Sequence, residues 1–361
     1  MKHQLLLLSF LFCSMVSQSQ ITGKVTDTEN RPLQNVNVYV EGTFNGTTTN
    51  ANGEFKIDMD LSKEQILIFK FLGFETANRT IAENETYLEI QLTEKVTSLD
   101  DVVITNSEDP AFAIIRNAIA QRKVNLAKIK EFKAEFYSKG LWEIKNVPEK
   151  ILGQEVGDLG VGLDSTRSGV VYLSETVSRI AYKAPNRFKE NITASKVSGN
   201  DRGFSFNSAE DFNFSFYENT IDLGANLVSP IANFAMTYYD YELVGTFYDT
   251  DNFLVNKIKV IPKRPNDAVF SGHIYIIEDT WEVFGVELKT TGKSIQFEVV
   301  EEINLNQTFS YSEENEFWVM ISQNISFSWG AFGISGNGNF VASYQNYDFN
   351  PNLTNQDFSN A

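Results

Sequence analysis

Hydrophobic and polar residues alternate with a period of two along most of this chain, the signature of strands with one buried face. At the front, Ile21, Gly23 and Val25 alternate with polar neighbours, and Val36, Val38 and Val40 do the same. Between them Asn30-Arg31-Pro32 signals a turn, since proline presets φ and asparagine bonds its own backbone. Asn45-Gly46 is a hairpin signal, because a type I′ turn needs positive φ at both central residues. Asn50-Ala51-Asn52-Gly53 turns the chain again before Phe55 and Ile57 point inward. Leu67, Phe69 and Phe71 then alternate with Ile66, Ile68 and Lys70, and Leu88, Ile90 and Leu92 close the pattern. A small β-sandwich of successive short antiparallel strands is predicted, ending near Thr93.

The period changes after that. Asp109 can cap a helix, Pro110 suits its first turn, and Phe112, Ile115 and Ile119 share a face with Ile114 and Ala118 beside them. Arg122, Lys123, Lys128 and Lys130 gather at the far end, where the helix dipole favours cations. From Phe132 the two-residue period returns, predicting strands over 134–142, 169–173, 177–182, 241–247, 256–261, 272–278, 282–289, 295–305, 317–327 and 338–344. Turn clusters separate them at 184–187, 248–252, 263–267 and 312–315. A helix ahead of a long antiparallel meander predicts an α+β domain in which the helix plugs one face of a curved, half-barrel-like sheet. The expected fold class is therefore mainly β with one notable helix: an N-terminal β-sandwich, then the α+β domain.

Three groups of motifs carry resemblances. GKVTD, RPLQNVNVYVEGT and NGTTTNANGEFKI resemble the carboxypeptidase regulatory-like domain, an immunoglobulin-like or prealbumin-like sandwich. The resemblance implies a place at the front of an outer-membrane protein of a gram-negative bacterium, such as a starch-utilisation-type receptor, and no peptidase activity of its own. Asp100 to Thr105 resembles the extended segment that follows this domain in TonB-dependent receptors and can add as a strand to a periplasmic partner. That makes Val102, Val103, Ile104 and Thr105 partner-binding candidates, with a linker strand packed on its own domain as the other reading. Finally, NSEDPAFAIIRNAI, YLSETVSRIAYKAPNRFKENITASKVSGN, FNFSFYENTI, LVSPIANFAMTYYDYELVGTFYD and NKIKVIPKRPNDAVFSGHIYIIEDTW resemble an uncharacterised family of bacterial envelope proteins. Its members pair the regulatory-like module with this region, and longer ones continue into an outer-membrane barrel. The strands around the PKRPND turn and Trp281 also resemble the half-barrels of lipoprotein carriers in architecture.

Lys2, the apolar run 5–12 and the small polar residues to Gln20 have the layout of a secretory signal peptide cleaved after Ser19. The run is too short to span a bilayer as a mature helix. The one cysteine, Cys13, follows Phe12 where a lipoprotein signal wants a small residue, so lipidation is not expected. Stability of the exported chain must then come from burial rather than disulfides. The organisation expected is a leader over 1–19, a sandwich over 20–93, a linker strand over 94–108, the helix-plus-strand domain over 109–348 and a polar tail over 349–361. Export places the chain in the periplasm or at the outer membrane. Lys plus Arg number 30 against 47 Asp plus Glu, a net charge of −17, and such a field repels phosphate backbones and excludes nucleic acid as a partner.

Candidate chemistry is sparse. A zinc peptidase needs several His and Glu ligands, whereas beyond the leader His273 stands alone, so no metal, cofactor or catalytic residue is expected. His273 in a predicted strand reads as structural or exposed, with general base the alternative. Residues 50–54 resemble a calcium loop only in part, since the twelfth position is Met59, and a plain turn is the better reading. Residues 333–338, GISGNG, fail as a nucleophile elbow at Asn337 and read as a flexible turn. Lys263-Arg264 can pair with Asp267 or bind an anion. The positive feature is aromatic: Phe204, Phe206, Phe212, Phe214 and Phe216 alternate with Ser and Asn, and on extended chain they form one face that lines an apolar cleft or fills the core. The function expected is a non-catalytic envelope protein, a periplasmic binding or scaffold part of an outer-membrane-associated transport or assembly system, with an envelope protein, lipid or peptide as partner. A glycan-acting enzyme using a carboxylate pair and a surface adhesion module are the alternatives.

Overall fold

The computed structural model describes residues 19–41, 46–50, 52–59, 64–82, 85–95, 108–199, 207–249 and 251–359. The chain divides into two compact units, Met1–Glu94 and Lys95–Ala361.

The first unit has seven strands: β1 (Ser19–Asp27), β2 (Asn37–Val40), β3 (Gly46–Thr48), β4 (Glu54–Met59), β5 (Ile66–Lys70), β6 (Ala77–Thr80) and β7 (Tyr87–Leu92). They form two sheets, ordered β4-β1-β7 and β3-β2-β5-β6. Ile21, Val25, Phe55, Ile57, Leu88 and Leu92 of one sheet and Val38, Val40, Leu67 and Phe69 of the other are buried in one core. Phe55 and Phe69 meet edge to face at 5.4 Å between centroids. One pairing departs from the antiparallel expectation: β1 runs antiparallel to β4 but parallel to β7. Asn45 lies outside the described residues. At the expected calcium-like loop, Asn50 Oδ1 accepts from the Asn52 and Glu54 backbone N–H groups, which is a turn.

The second unit opens with α1 (Pro110–Leu126), whose N-cap Asp109 accepts from the Ala111 N–H. The strands are β8 (Glu131–Lys145), β9 (Lys150–Ile151), β10 (Gln154–Glu155), β11 (Gly169–Lys183), β12 (Arg187–Gly199), β13 (Thr220–Asp222), β14 (Asn226–Val228), β15 (Tyr239–Tyr248), β16 (Leu254–Pro262), β17 (Ser271–Ile277), β18 (Val283–Thr291), β19 (Val300–Ser312), β20 (Phe317–Ala331) and β21 (Ile334–Asp348). Ten of them make one open, curved antiparallel sheet in the order β12-β11-β8-β21-β20-β19-β18-β17-β16-β15. Ala111, Ile115 and Ala118 of α1 join Phe136, Tyr172, Ile274, Leu305, Ile325 and Phe340 in the core on the sheet's inner face. The helix also guards an edge, because Asp109 Oδ1 takes the Leu243 N–H of β15 at 3.1 Å, beside a bulge in that strand. No helix among the described residues is long and apolar enough to cross a membrane.

Several expected boundaries shift for physical reasons. The two strands predicted over 169–182 are one, because Ser174, Thr176 and Ser178 continue the buried face as small hydroxyl residues. Residues 191–199 of β12 are exposed throughout, so no hydrophobic period announces that strand. Ile295 sits in the tight connection 292–299 rather than in a strand. The expected flexible turn at 333–338 is a correction: only Gly333, with φ 82°, turns the chain, and β21 begins at Ile334. Gly336 and Gly338 are there because Trp329 and Phe327 of β20 lie over them. A Cβ at Gly338 would stand 2.3 Å from the Phe327 ring. Arg264 pairs with Asp267 at 2.7 Å, as its turn suggested.

Candidate functional site

The second unit holds a cavity of about 550 Å³ between the end of α1, the inner face of the sheet and the segment 210–220. It falls within the range of about 300–1,000 Å³ usual for small-molecule pockets. Phe132 of β8, Phe188 of β12, Phe214, Phe309 of β19, Met320 of β20 and Tyr347 of β21 supply most of the apolar wall, and none of them is fully buried. Apart from Phe214, these side chains come from strands of the one large sheet, including its earliest and latest in the chain.

The wall also carries charge. Lys128, just beyond the C-terminus of α1 where the helix dipole favours a cation, holds Glu282 at 2.8 Å. The Glu282 side chain is 5% exposed, so its charge is compensated inside the wall. Tyr217 accepts the Val283 N–H at 2.9 Å, and burial keeps its phenol protonated far above the ordinary range. Gln307 donates to Gln323 Oε1 at 2.6 Å within the sheet. Trp318 lines the cavity and packs on Phe284 at 5.1 Å, and its buried indole N–H has no hydrogen-bond acceptor.

Of the aromatic residues singled out from the sequence, Phe212 and Phe216 are fully buried in the core. Phe212 lies 6.0 Å from Phe136 and Phe216 lies 5.6 Å from Phe270. Phe214 between them is half-buried and lines the cavity. The described stretch 207–219 is a series of turns, not a strand, so the alternation there does not mark a flat face. Phe204 and Phe206 lie outside the described residues, as do Val102, Val103, Ile104 and Thr105. The Lys128–Glu282 pair, Trp318 and Tyr347 escaped the sequence reading. Only Lys128 carried a local signal, its place at a helix end.

His273 of β17 is half-buried and away from the cavity. Burial first, then Lys257 and Lys259 beside it, push its pKa down to about 4. Among the described residues, no group of three His, Cys, Asp or Glu side chains is placed to hold a metal ion.

Fold and cavity thus define an open antiparallel sheet plugged by a helix, with an aromatic-walled pocket, in a chain that begins with a β-sandwich. The model of the family of unknown function DUF5686 matches residues 114–347, and the chain belongs to that family. A CarboxypepD_reg-like domain matches residues 21–104. Neither description names a catalytic activity. The chain is 30% identical over 100 residues to the TonB-dependent receptor P39 of Formosa agariphila, a match covering 28% of this chain and 9% of that receptor. Among solved structures, a DUF1329 family protein from Desulfovibrio piger aligns over 70% of this chain and 98% of its own, at 13% identity and a TM-score of 0.29. A putative outer membrane lipoprotein-sorting protein domain from Vibrio parahaemolyticus aligns over 68% of this chain and 97% of its own, at 10% identity and a TM-score of 0.25.

Proposed function

We propose that this chain is an exported, non-catalytic protein of the cell envelope whose second unit binds an apolar ligand, as the binding part of an outer-membrane-associated transport or assembly system. The observation that carries this reading is the cavity: aromatic side chains of six strands converge on it without filling it, although such side chains ordinarily close a core. The CarboxypepD_reg-like domain and the stretch shared with a TonB-dependent receptor support an envelope setting. In this reading Val102 to Thr105 offer a strand to a periplasmic partner, and Phe214 is the ligand contact among the sequence candidates.

The test is saturable binding of the neutral probe N-phenyl-1-naphthylamine, followed by its fluorescence. Phe214→Glu puts a charge into the apolar wall and is expected to weaken binding at least tenfold, since a buried carboxylate costs several kcal/mol. Absence of saturable binding to the unmodified chain would sink the proposal, as would recovery of the chain solely from cytosolic fractions.

A further inference from the structure

The charges around the cavity are lopsided. Among the residues lining it, Lys128 is the one cation, against Glu210, Glu218 and Glu282. Lys128 is already committed to Glu282, and that pair is neutral as a unit. Glu210 and Glu218 remain, exposed although they line the cavity, so they stand where it opens to solvent. Neither makes an ion pair with any described residue, whereas exposed carboxylates elsewhere do, such as Asp267 with Arg264. The charge of Glu218 reaches the wall: burial first and Glu218 next push the phenol of Tyr182, another lining residue, upward. Among the lining residues no further cation offsets these two carboxylates, and the chain as a whole carries −17.

An apolar body and an acidic mouth select one kind of guest. We infer that the cavity binds a cationic amphiphile, its hydrocarbon part among Phe132, Phe188, Phe214 and Phe309 and its positively charged head at Glu210 and Glu218. This rests on the cavity being a ligand site. The aromatic rings help rather than hinder, because the faces of Tyr and Phe attract a desolvated ammonium that carboxylates alone hold only weakly. An anionic head meets two uncompensated carboxylates, and a neutral head gains nothing from them.

Three ligands with straight tails of about the same length and different heads test this: dodecyltrimethylammonium, dodecanol and dodecanoate, each below its micelle concentration, competing with N-phenyl-1-naphthylamine on the full chain. At low ionic strength the ammonium is expected to compete about tenfold better than the alcohol, and the alcohol better than the carboxylate, with the spread shrinking in 0.5 M salt as screening shortens to about 4 Å. In Glu210→Gln/Glu218→Gln, whose positions are exposed and whose urea midpoint should stay put, the ammonium and the alcohol should compete alike. Dodecanoate competing as well as the ammonium overturns the inference, and so does a preference that survives the double substitution. Competition by a lysine-rich amphipathic peptide but by none of the three amphiphiles overturns it too. If dodecanol displaces the probe and the heads make no difference, the cavity reading stands and this one falls. If the probe itself does not bind, both fall.

Discussion

At the scale of single residues, the cavity wall holds a pair, Lys128 with Glu282, that joins a helix end to a residue far along the chain. Lys128→Met would leave Glu282 buried and alone, and should cost about 2–4 kcal/mol in urea unfolding. Lys128→Met/Glu282→Gln removes both charges and should recover most of that loss, because the cost lies in the stranded carboxylate rather than in the missing attraction. His273 makes a second prediction, with pH. Its folded pKa of about 4 lies below the ordinary 6.5, so between those values the unfolded chain binds a proton that the folded chain does not. Stability contributed by neutral His273 is full above about pH 6.5 and is lost as pH falls toward 4, by about 1–2 kcal/mol for a half-buried ring. Unfolding midpoints at pH 7 and pH 5 should diverge less in His273→Asn than in the parent. Equal divergence would show that carboxylates alone account for the acid sensitivity. The sequence could place His273 in a strand, but its flanking lysines come from β16, paired with it only by the fold.

At the scale of elements, legibility follows burial contrast. The helix was readable from Asp109, Pro110 and its apolar spacing, and it runs Pro110–Leu126. Its basic end was only half readable: Arg122, grouped there with the exposed Lys123 and Lys130, is 4% exposed and donates to the Tyr217 carbonyl at 3.0 Å. β12 was unreadable beyond its first residues because both its faces meet water, and period-two patterns exist only where one face does not. Glycines misled in β21 for the opposite reason. Turn chemistry alone suggests a loop for them, yet they mark close approach inside a sheet. Gly140 of β8 shows the same device, since a Cβ there would lie 2.6 Å from the Phe340 ring. Gly140→Ala should therefore destabilise by about 1–3 kcal/mol despite a better strand propensity elsewhere, and Gly140→Ala/Phe340→Leu should regain part of it. Thermal unfolding of the two variants checks this. An unaffected single variant would mean that Phe340 turns aside freely.

At the scale of the whole molecule, the sandwich was legible because its turns and alternations are local, down to the inward residues Ile21, Val36, Val38, Phe55 and Leu67. What stayed hidden was the parallel pairing of β1 with β7, which no neighbouring residue reports. The larger unit was legible as a class, a helix with a curved antiparallel sheet, and illegible as a wiring diagram. Its cavity belongs to the wiring: Phe132, Phe309 and Tyr347 meet because β8 lies beside β21, β21 beside β20 and β20 beside β19. Composition gives the chain's overall acidity, but not that Glu210 and Glu218 line one cavity.

The seam between β8 and β21 carries one more implication. β8, the first strand of the sheet in the chain, has β11 on one side but β21, the sheet's last, on the other, with Phe136 opposite Tyr344 and Gly140 opposite Phe340. Until β21 is in place, the sheet consists of two separate flaps, each with an unpaired edge where β21 belongs. Closing the sheet therefore needs a pairing between the two ends of this unit's strand series, a long-range contact expected to slow its folding.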